Sequence, residues 1–334
     1  MYFVGIDVGS KELVMVVRRK GKAYKPRRFS NNAEGHKQIV NALSPAKKQG
    51  RICLEATGVY HFDLAVALSS CPGFEVMVVN PRASRHFARA LMTRTKTDLI
   101  DADILAQYVE IMPFEQWQVP DKKTLELRAF SRKIAAVTRL KVQMKNQIHA
   151  LLASEYPPDI IVEETLSAVA FFDEQIKRLK DHALMLISSS ADLQESFDII
   201  TSTTGIADTS AIQLLGELLV LPKDMNNRQW VAFAGLDPRQ HQSGTSVAKK
   251  TRISKAGNHY LRQALYMPAL CAATRDRHVR AYYMHLIENR GLKKIQALCA
   301  VMRKMLHAIH AMLKNKTAFD NTKFFRIEGQ NNSV

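Results

Sequence analysis

Apolar residues in the first eighty positions fall into short runs, alternately with the spacing of strands and of helices. Tyr2, Phe3, Val4 and Ile6 make one strand, and residues 11–18 make a second. The basic segment Arg18-Arg19-Lys20-Gly21-Lys22 supplies a glycine-containing turn before a third strand near residues 27–30. The spacing then predicts a helix over 33–43, a strand over 51–55, a helix over 62–69 and a strand over 75–80. Antiparallel-type strands are thus followed by strand-helix-strand units, an α/β arrangement.

Beyond Pro120 the pattern changes to long helical stretches with almost no glycine. From Leu127 the apolar positions continue through Phe130, Ile134, Val137, Met144, Ile148 and Leu151, a three/four alternation that makes a coiled-coil seam. Tyr156-Pro157-Pro158 ends that helix, and Leu166, Val169, Ile176, Ala183 and Leu186 repeat the spacing on a second one. A helical hairpin results, which pattern alone leaves open as an internal bundle or a dimerising arm. The polar stretch Ser188-Ser189-Ser190-Ala191-Asp192 marks a boundary, so the expected organisation is 1–120, 121–190 and 191–334. In the third region, 199–217 reads as helix-turn-helix around Thr203-Thr204-Gly205-Ile206-Ala207, either a DNA-phosphate hairpin or an ordinary αα-corner.

Charge narrows the partners. With 48 Lys+Arg against 31 Asp+Glu the chain of 334 residues carries +17, which calls for a polyanion. Residues 249–326 hold 17 Lys/Arg and only Asp276, Glu288 and Asp320, a surplus of +14. A second basic cluster comprises Arg18, Arg19, Lys20, Lys22, Lys25, Arg27 and Arg28. No apolar run reaches the roughly 18–20 residues of a spanning helix and no secretory pattern opens the chain, so a cytoplasmic protein without a membrane partner is expected. Cys53, Cys71, Cys271 and Cys299 lack zinc-type spacing and read as reduced core residues.

Against this basic background a few acids stand out. Asp7 follows the first strand, Glu55 ends another, and Asp98 and Asp101 lie three apart at the head of a helical stretch, hence on one face. Converging carboxylates are the donor set of two-metal phosphoryl transfer. Strand order with acids at strand ends is the pattern of a ribonuclease-H-like sheet. Asp103 reads as a solvated extra acid. Ser243, beside Gly244 in a polar segment flanked by Arg239, Lys249, Lys250, Arg252 and Lys255, could attack a phosphodiester, though a serine-glycine pair more commonly marks only a turn. His307 and His310 read as surface or phosphate-facing, Met302, Met305, Ile309, Met312 and Leu313 as a packing stripe, and neither Trp117 nor Trp230 as a base-stacking platform.

Taken together, Gly5-Ile6-Asp7, Glu55-Ala56-Thr57-Gly58, Lys96-Thr97-Asp98-Leu99-Ile100-Asp101-Ala102, Phe233-Ala234-Gly235-Leu236 with Pro238-Arg239, Ser243-Gly244 and Ser254-Lys255-Ala256-Gly257 through Leu265-Tyr266-Met267-Pro268-Ala269 resemble the insertion-sequence one-ten family of transposases, related to the pilin-gene invertases. The resemblance spans nearly the whole chain in order. It implies a RuvC-like nuclease domain with an Asp-Glu-Asp-Asp quartet at Asp7, Glu55, Asp98 and Asp101, a helical coiled-coil linker, and a mostly helical C-terminal transposase domain with Ser243 as nucleophile. It further implies Mg²⁺, with Mn²⁺ as alternative, donor and target DNA, a structured bridge RNA as guide, a covalent phosphoserine intermediate, and a homo-oligomer, dimer or tetramer, acting at the nucleoid of a bacterial or archaeal cell. Arg239, Lys249, Lys250, Arg252, Lys255 and Arg262 would be nucleic-acid contacts. The rival readings are a RuvC-type structure-selective endonuclease that uses water as nucleophile and, from Gly5-Ile6-Asp7-Val8-Gly9-Ser10, an actin-like sugar kinase; the kinase reading lacks a later Asp-x-Gly-Gly motif and leaves the basic tail idle.

Overall fold

The strand β1 (Tyr2–Val8) is the centre of a six-stranded mixed sheet in a computed structural model of the protein. Residues 1–44, 49–56, 58, 60–93, 95, 97–243 and 247–327 are described, those at 241–243 and 247–250 by backbone alone. On one side β1 pairs antiparallel with β2 (Glu12–Arg19), which carries β3 (Lys22–Ala23) and β4 (Arg27–Ser30) along its far edge. On the other it pairs parallel with β5 (Gly50–Glu55), and β5 with β6 (Phe74–Val79). Helices α1 (Ala33–Leu43) and α2 (Phe62–Ser69) return the chain between these strands. The α1 start follows from Asn32, whose side chain accepts the Gly35 N–H.

Alternation along the strands sorts the side chains onto two faces. Val4, Ile6, Leu13, Ile52 and Leu54 point to the face covered by Ile39 of α1 and Leu64 and Leu68 of α2. Cys53, Met77 and Val79 point the other way, against Leu105, Tyr108 and Val109 of α4 (Asp98–Ile111). The short helix α3 (Pro81–Ala90) packs beside α4, Phe87 meeting Tyr108 edge-on at 5.2 Å. It was not anticipated from apolar spacing, because its composition is dominated by arginine and alanine. Trp117 packs edge-on against Phe62, as core and not as a platform.

The chain divides into two compact units, Met1–Val119 and Pro120–Val334. The second begins with α5 (Lys122–Leu152) and α6 (Asp159–Ser188). Lys123 bonds Ser189, Phe130 stacks on His182 and Lys141 pairs with Asp173, so the two helices run antiparallel. Only the foot of this hairpin enters the core: Leu127, Ile134, Ala183 and Ile187 are buried with residues of α7 (Ala191–Thr201), α8 (Asp208–Leu218), α9 (Asn227–Ala234), α10 (His259–Arg275) and α12 (Lys294–Asn315). Helix α11 (Arg277–Glu288) lies against α10 and α12. Further out, the seam residues Met144, Ile148 and Leu151 are half-buried, whereas Leu140, Val142, Leu152, Ile160, Ile161, Leu166 and Phe171 are exposed.

Between α9 and α10 the chain forms an antiparallel ribbon, β7 (Pro238–Ser243) and β8 (Val247–Ile253). A polar loop was expected there. Gln240, His241 and Gln242 give no apolar alternation, so the sequence carries no strand period there. The four cysteines are free, Cys53 and Cys71 buried and Cys271 and Cys299 partly so. Among the described residues no helix is long and apolar enough to cross a membrane.

Two close approaches fix the units internally. A Cβ on Gly5 would lie 2.0 Å from the carbonyl oxygen of Ala102 and 2.3 Å from the amide nitrogen of Ala106, so α4 rests backbone-to-backbone on β1. Gly216 of α8 approaches Ser131 and Arg128 of α5 in the same way. Beside it, fully buried Glu217 accepts from Arg132 Nε at 2.7 Å and from Asn258 Nδ2 at 2.6 Å, with Arg128 Nε at 3.5 Å. Gly5→Ala is expected to destabilise the protein by about 3 kcal/mol, the upper range for overpacking, since only a shift of α4 makes room; urea unfolding measures it. Glu217→Ala leaves two cations half-buried without their acid and should cost about 3–5 kcal/mol in the same experiment.

Candidate active site

The β1–β5 register brings the first two acids together. Ile6 pairs with Leu54, so Asp7 and Glu55 follow side by side on the α4 face, the face opposite Ile6 and Leu54. Asp7 lies two residues beyond Gly5, and Gly5 is where α4 touches the sheet. Helix α4 starts nearby because Thr97 caps it, its hydroxyl accepting the Ile100 N–H. Asp98 and Asp101 occupy the first turn, where carboxylates are favoured by the helix dipole.

The charges of the other three acids reach Asp7. The Asp7 carboxyl is pushed up from 3.8 to about 6, first by burial, then by the negative charges of Asp101, Asp98 and Glu55, against one lowering hydrogen bond from the Val8 backbone. Glu55 is held from the outside by Ser84 of α3, whose hydroxyl donates to Oε2 at 2.6 Å. Nothing in the apolar spacing pointed to Ser84. The Asn80-Pro81 pair, a helix cap followed by a first-turn proline, was the available indication of its helix. Among the described residues no three His, Cys, Asp or Glu close around one point tightly enough to hold a metal. The donor set nonetheless fits a hard divalent cation: it is all carboxylate oxygen, and the charges of Asp101, Asp98 and Glu55 add to burial in raising Asp7. Thr57 and Lys96 of the flanking motifs lie outside the described residues.

Asp103 corrects an expectation. It is no solvated extra acid but bonds Arg18 at 2.6 Å and Gln107, pinning α4 to β2, with Glu110 3.5 Å from the same guanidinium. Arg28 likewise pairs with Glu12, so two of the seven N-terminal cations are already neutralised.

In the second unit Ser243 ends β7 opposite Val247, at the tip of the ribbon; its side chain, with those of Lys249 and Lys250, lies outside the described residues, as do Gly244, Thr245 and Ser246. Arg239 and Arg252 face each other directly across the two strands and both are exposed. The ribbon's base is closed by the Ser254 N–H, which donates to the Asp237 carbonyl at 2.8 Å, and Lys255 beyond it is exposed. Arg262 differs from the other expected cations: its Nη1 donates to the Ala234 carbonyl at 2.7 Å at the C-terminal end of α9, so its guanidinium serves the fold. His310 also turns inward, its Nε2 bonding the Met225 carbonyl at 2.9 Å and its ring meeting Trp230 edge-on, while His307 is half-buried and pushed towards its neutral form by burial and by Arg303. His310 is therefore not the surface or phosphate-facing residue expected, because α12 packs on α9.

The Asp7 shift has a sign that can be checked. The folded carboxyl keeps its proton to about 6 and the unfolded one loses it near 3.8, so the folded state binds more protons in that window and metal-free stability should fall as pH rises through it. Carboxyl-carbon NMR should place the Asp7 midpoint near 6, and Asp101→Asn should lower it and flatten the fall in stability. A midpoint unmoved by Asp101→Asn would mean that burial alone sets it.

Comparison with known proteins agrees with this geometry. A transposase model of the IS110 DEDD type matches residues 4–157, and the Transposase IS116/IS110/IS902 family model matches residues 197–284. The pilin gene-inverting protein of Moraxella bovis is 27% identical over 298 residues, covering 87% of this chain and 89% of its own length. That of Moraxella lacunata is 28% identical over 302 residues with the same coverage. The transposase for insertion sequence element IS1328 of Yersinia enterocolitica is 24% identical over 285 residues, 78% of this chain and 81% of its own. Matched in both its acid-bearing sheet and its ribbon-bearing helical region, the chain belongs to the IS110 family of transposases.

Proposed function

We propose that the protein is a divalent-metal-dependent DNA recombinase of an insertion sequence, in which Asp7, Glu55, Asp98 and Asp101 hold Mg²⁺, or Mn²⁺, and Ser243 is the nucleophile. The observation that carries this reading is the setting of Asp7 at the end of β1, half-buried and under the charges of three further acids, Asp101, Asp98 and Glu55, in a chain of net charge +17. Such a concentration of carboxylate opposes the binding of phosphate unless a cation intervenes. The strand order β3-β2-β1-β5-β6, with the first three antiparallel and the last three parallel, supports a RuvC-like assignment for the N-terminal unit.

Bound there, the metal would neutralise the acids and stabilise the charge that develops on a transferring phosphoryl group. Asp7 and Glu55 orient the donor oxygens from strand ends, and Ser84 fixes the Glu55 carboxylate through its hydroxyl. Asp98 and Asp101 complete the set from a helix whose position the Gly5 contact dictates. In the reaction the Ser243 oxygen forms a bond to phosphorus as one strand's phosphorus–oxygen bond breaks, and the hydroxyl proton ends on the departing strand. The phosphoserine link keeps the phosphodiester free energy for rejoining, which hydrolysis would discard.

Arg239 and Arg252 support a phosphate contact on the ribbon. Like charges directly opposite each other across a strand pair are unfavourable, and an intervening phosphate removes the penalty. Lys249, Lys250 and Lys255 extend the same basic surface in sequence. Donor and target DNA are the substrates, and a structured bridge RNA would supply sequence choice by base pairing while the protein grips backbones. The exposed apolar residues of the outer hairpin, Leu140, Ile160, Leu166 and Phe171 among them, support a homo-oligomer.

Asp98→Ala should abolish strand cleavage while leaving DNA affinity unchanged or slightly higher, because it removes a negative charge. Ser243→Ala should stop recombination with folding and DNA binding intact, and denatured reactions of the unmutated protein on a nicked DNA substrate should contain DNA-linked protein. If Ser243→Ala cuts at normal rates and no adduct forms, water is the nucleophile and the protein is a junction endonuclease.

A further inference from the structure

We propose that the outward face of α3 binds the phosphate backbone of the DNA strand that enters the acid site; the assignment of that strand to DNA cleavage rests on the function proposed above. Helix α3 has two sharply different sides. Inward, Ser84 is buried and bonds Glu55, and Phe87 packs on Tyr108 of α4. Outward, Arg82, Arg85, His86 and Arg89 are all exposed and, with Asn80 and Pro81, line a single groove. Asn80 caps the helix by accepting the Arg82 N–H at 2.8 Å, which fixes the first of these residues at the groove's mouth.

These cations do little in the fold beyond a 3.4 Å hydrogen bond from Arg82 Nε to His86 Nε2 and the place of Arg89 in the last turn of the helix. Helix α3 contains no acid, and among the described residues none of Arg82, Arg85 and Arg89 forms an ion pair. The spacings 82–85 and 85–89 instead set like charges one helical turn apart, where they repel. An anionic ligand turns that cost into binding. From Arg82 to Arg89 the helix rises about 10 Å, which matches about three phosphates at roughly 3.4 Å rise per nucleotide on one strand. The helix is also about 10 Å wide with its side chains. Its arginine row therefore lies about three nucleotides along a strand whose scissile phosphate meets Glu55 on the other side.

The test uses the full chain without divalent metal, so that binding is read apart from cleavage. A fluorescent DNA duplex of random sequence is titrated by anisotropy at several salt concentrations. Replacing Arg82, Arg85 and Arg89 together by Ala should make the log-log salt dependence shallower by about 2 to 3, at about 0.9 per lost contact, and weaken binding at least tenfold. Replacing all three by Lys should restore most of the slope, which a folding defect would not. The single exposed-site variants Arg85→Ala and Arg89→Ala, each expected to lower the slope by about 0.9, serve if the triple Ala protein does not fold. An unchanged DNA slope overturns the proposal. So does a loss confined to a random-sequence RNA probe, which would make α3 an RNA-binding surface. Asp98→Ala separates the two ideas: if it still cuts DNA, the acid-site function fails whatever α3 does, and if it does not cut while the arginine variants bind normally, only the α3 surface fails.

Discussion

Everything at the acid site depends on one contact that has no side chain in it. Helix α4 can deliver Asp98 and Asp101 to the end of β1 only because its backbone settles directly on Gly5, with the Ala102 carbonyl where any Cβ would stand. The remaining supports are arranged around that contact: Asp103 and Glu110 tie α4 to Arg18 of β2, and Tyr108 and Val109 close the core beneath it. Two strands supply the other acids from fixed register, so no carboxylate of the four is carried on a free loop.

Charge in this protein is segregated. The few concentrated acids lie at the mouth of the sheet, and the arginines of α3 lie one helix width away. On the proposed function, a DNA strand would use both: cations along its path and, at the reacting position, carboxylates that would take up a metal ion. Ser84 is the joint between the two, buried on the side of α3 that faces the acids and bonded to Glu55. A second network of opposite composition holds the helical unit, where the fully buried Glu217 gathers Arg128, Arg132 and Asn258.

The strands and long helices were legible in the sequence because each has a buried face that writes a period into the chain. The predicted helix over 33–43 has the bounds of α1, and the four acids read as strand-end and helix-start residues stand in those positions. Elements without a buried stripe were not legible. The β7–β8 ribbon has no apolar alternation in its sequence, Gln240-His241-Gln242 and Lys249-Lys250-Thr251 being polar runs, and α3 is hidden by its arginines. Individual charges were the least legible of all, because partners distant in sequence decide them. Asp103 finds Arg18, and Arg262 finds the Ala234 carbonyl, neither of which any local pattern encodes.

The hairpin of α5 and α6 is gripped at its foot and uncovered beyond it. Helix α5 has 31 residues, about 46 Å at 1.5 Å per residue, of which the stretch beyond Val137 contributes nothing fully buried. That makes it a mechanical lever. A tilt of about 10° at the foot would sweep the end of α5 sideways by about 4 Å over its outer 15 residues. Run in reverse, a force applied at the tip is concentrated at the fulcrum, where Gly216 leaves no slack against Arg128 and Ser131. Glu217 bonds Asn258, the cap of α10, five residues beyond the end of β8, so a displacement of the arm would reach the root of the ribbon through that hydrogen bond.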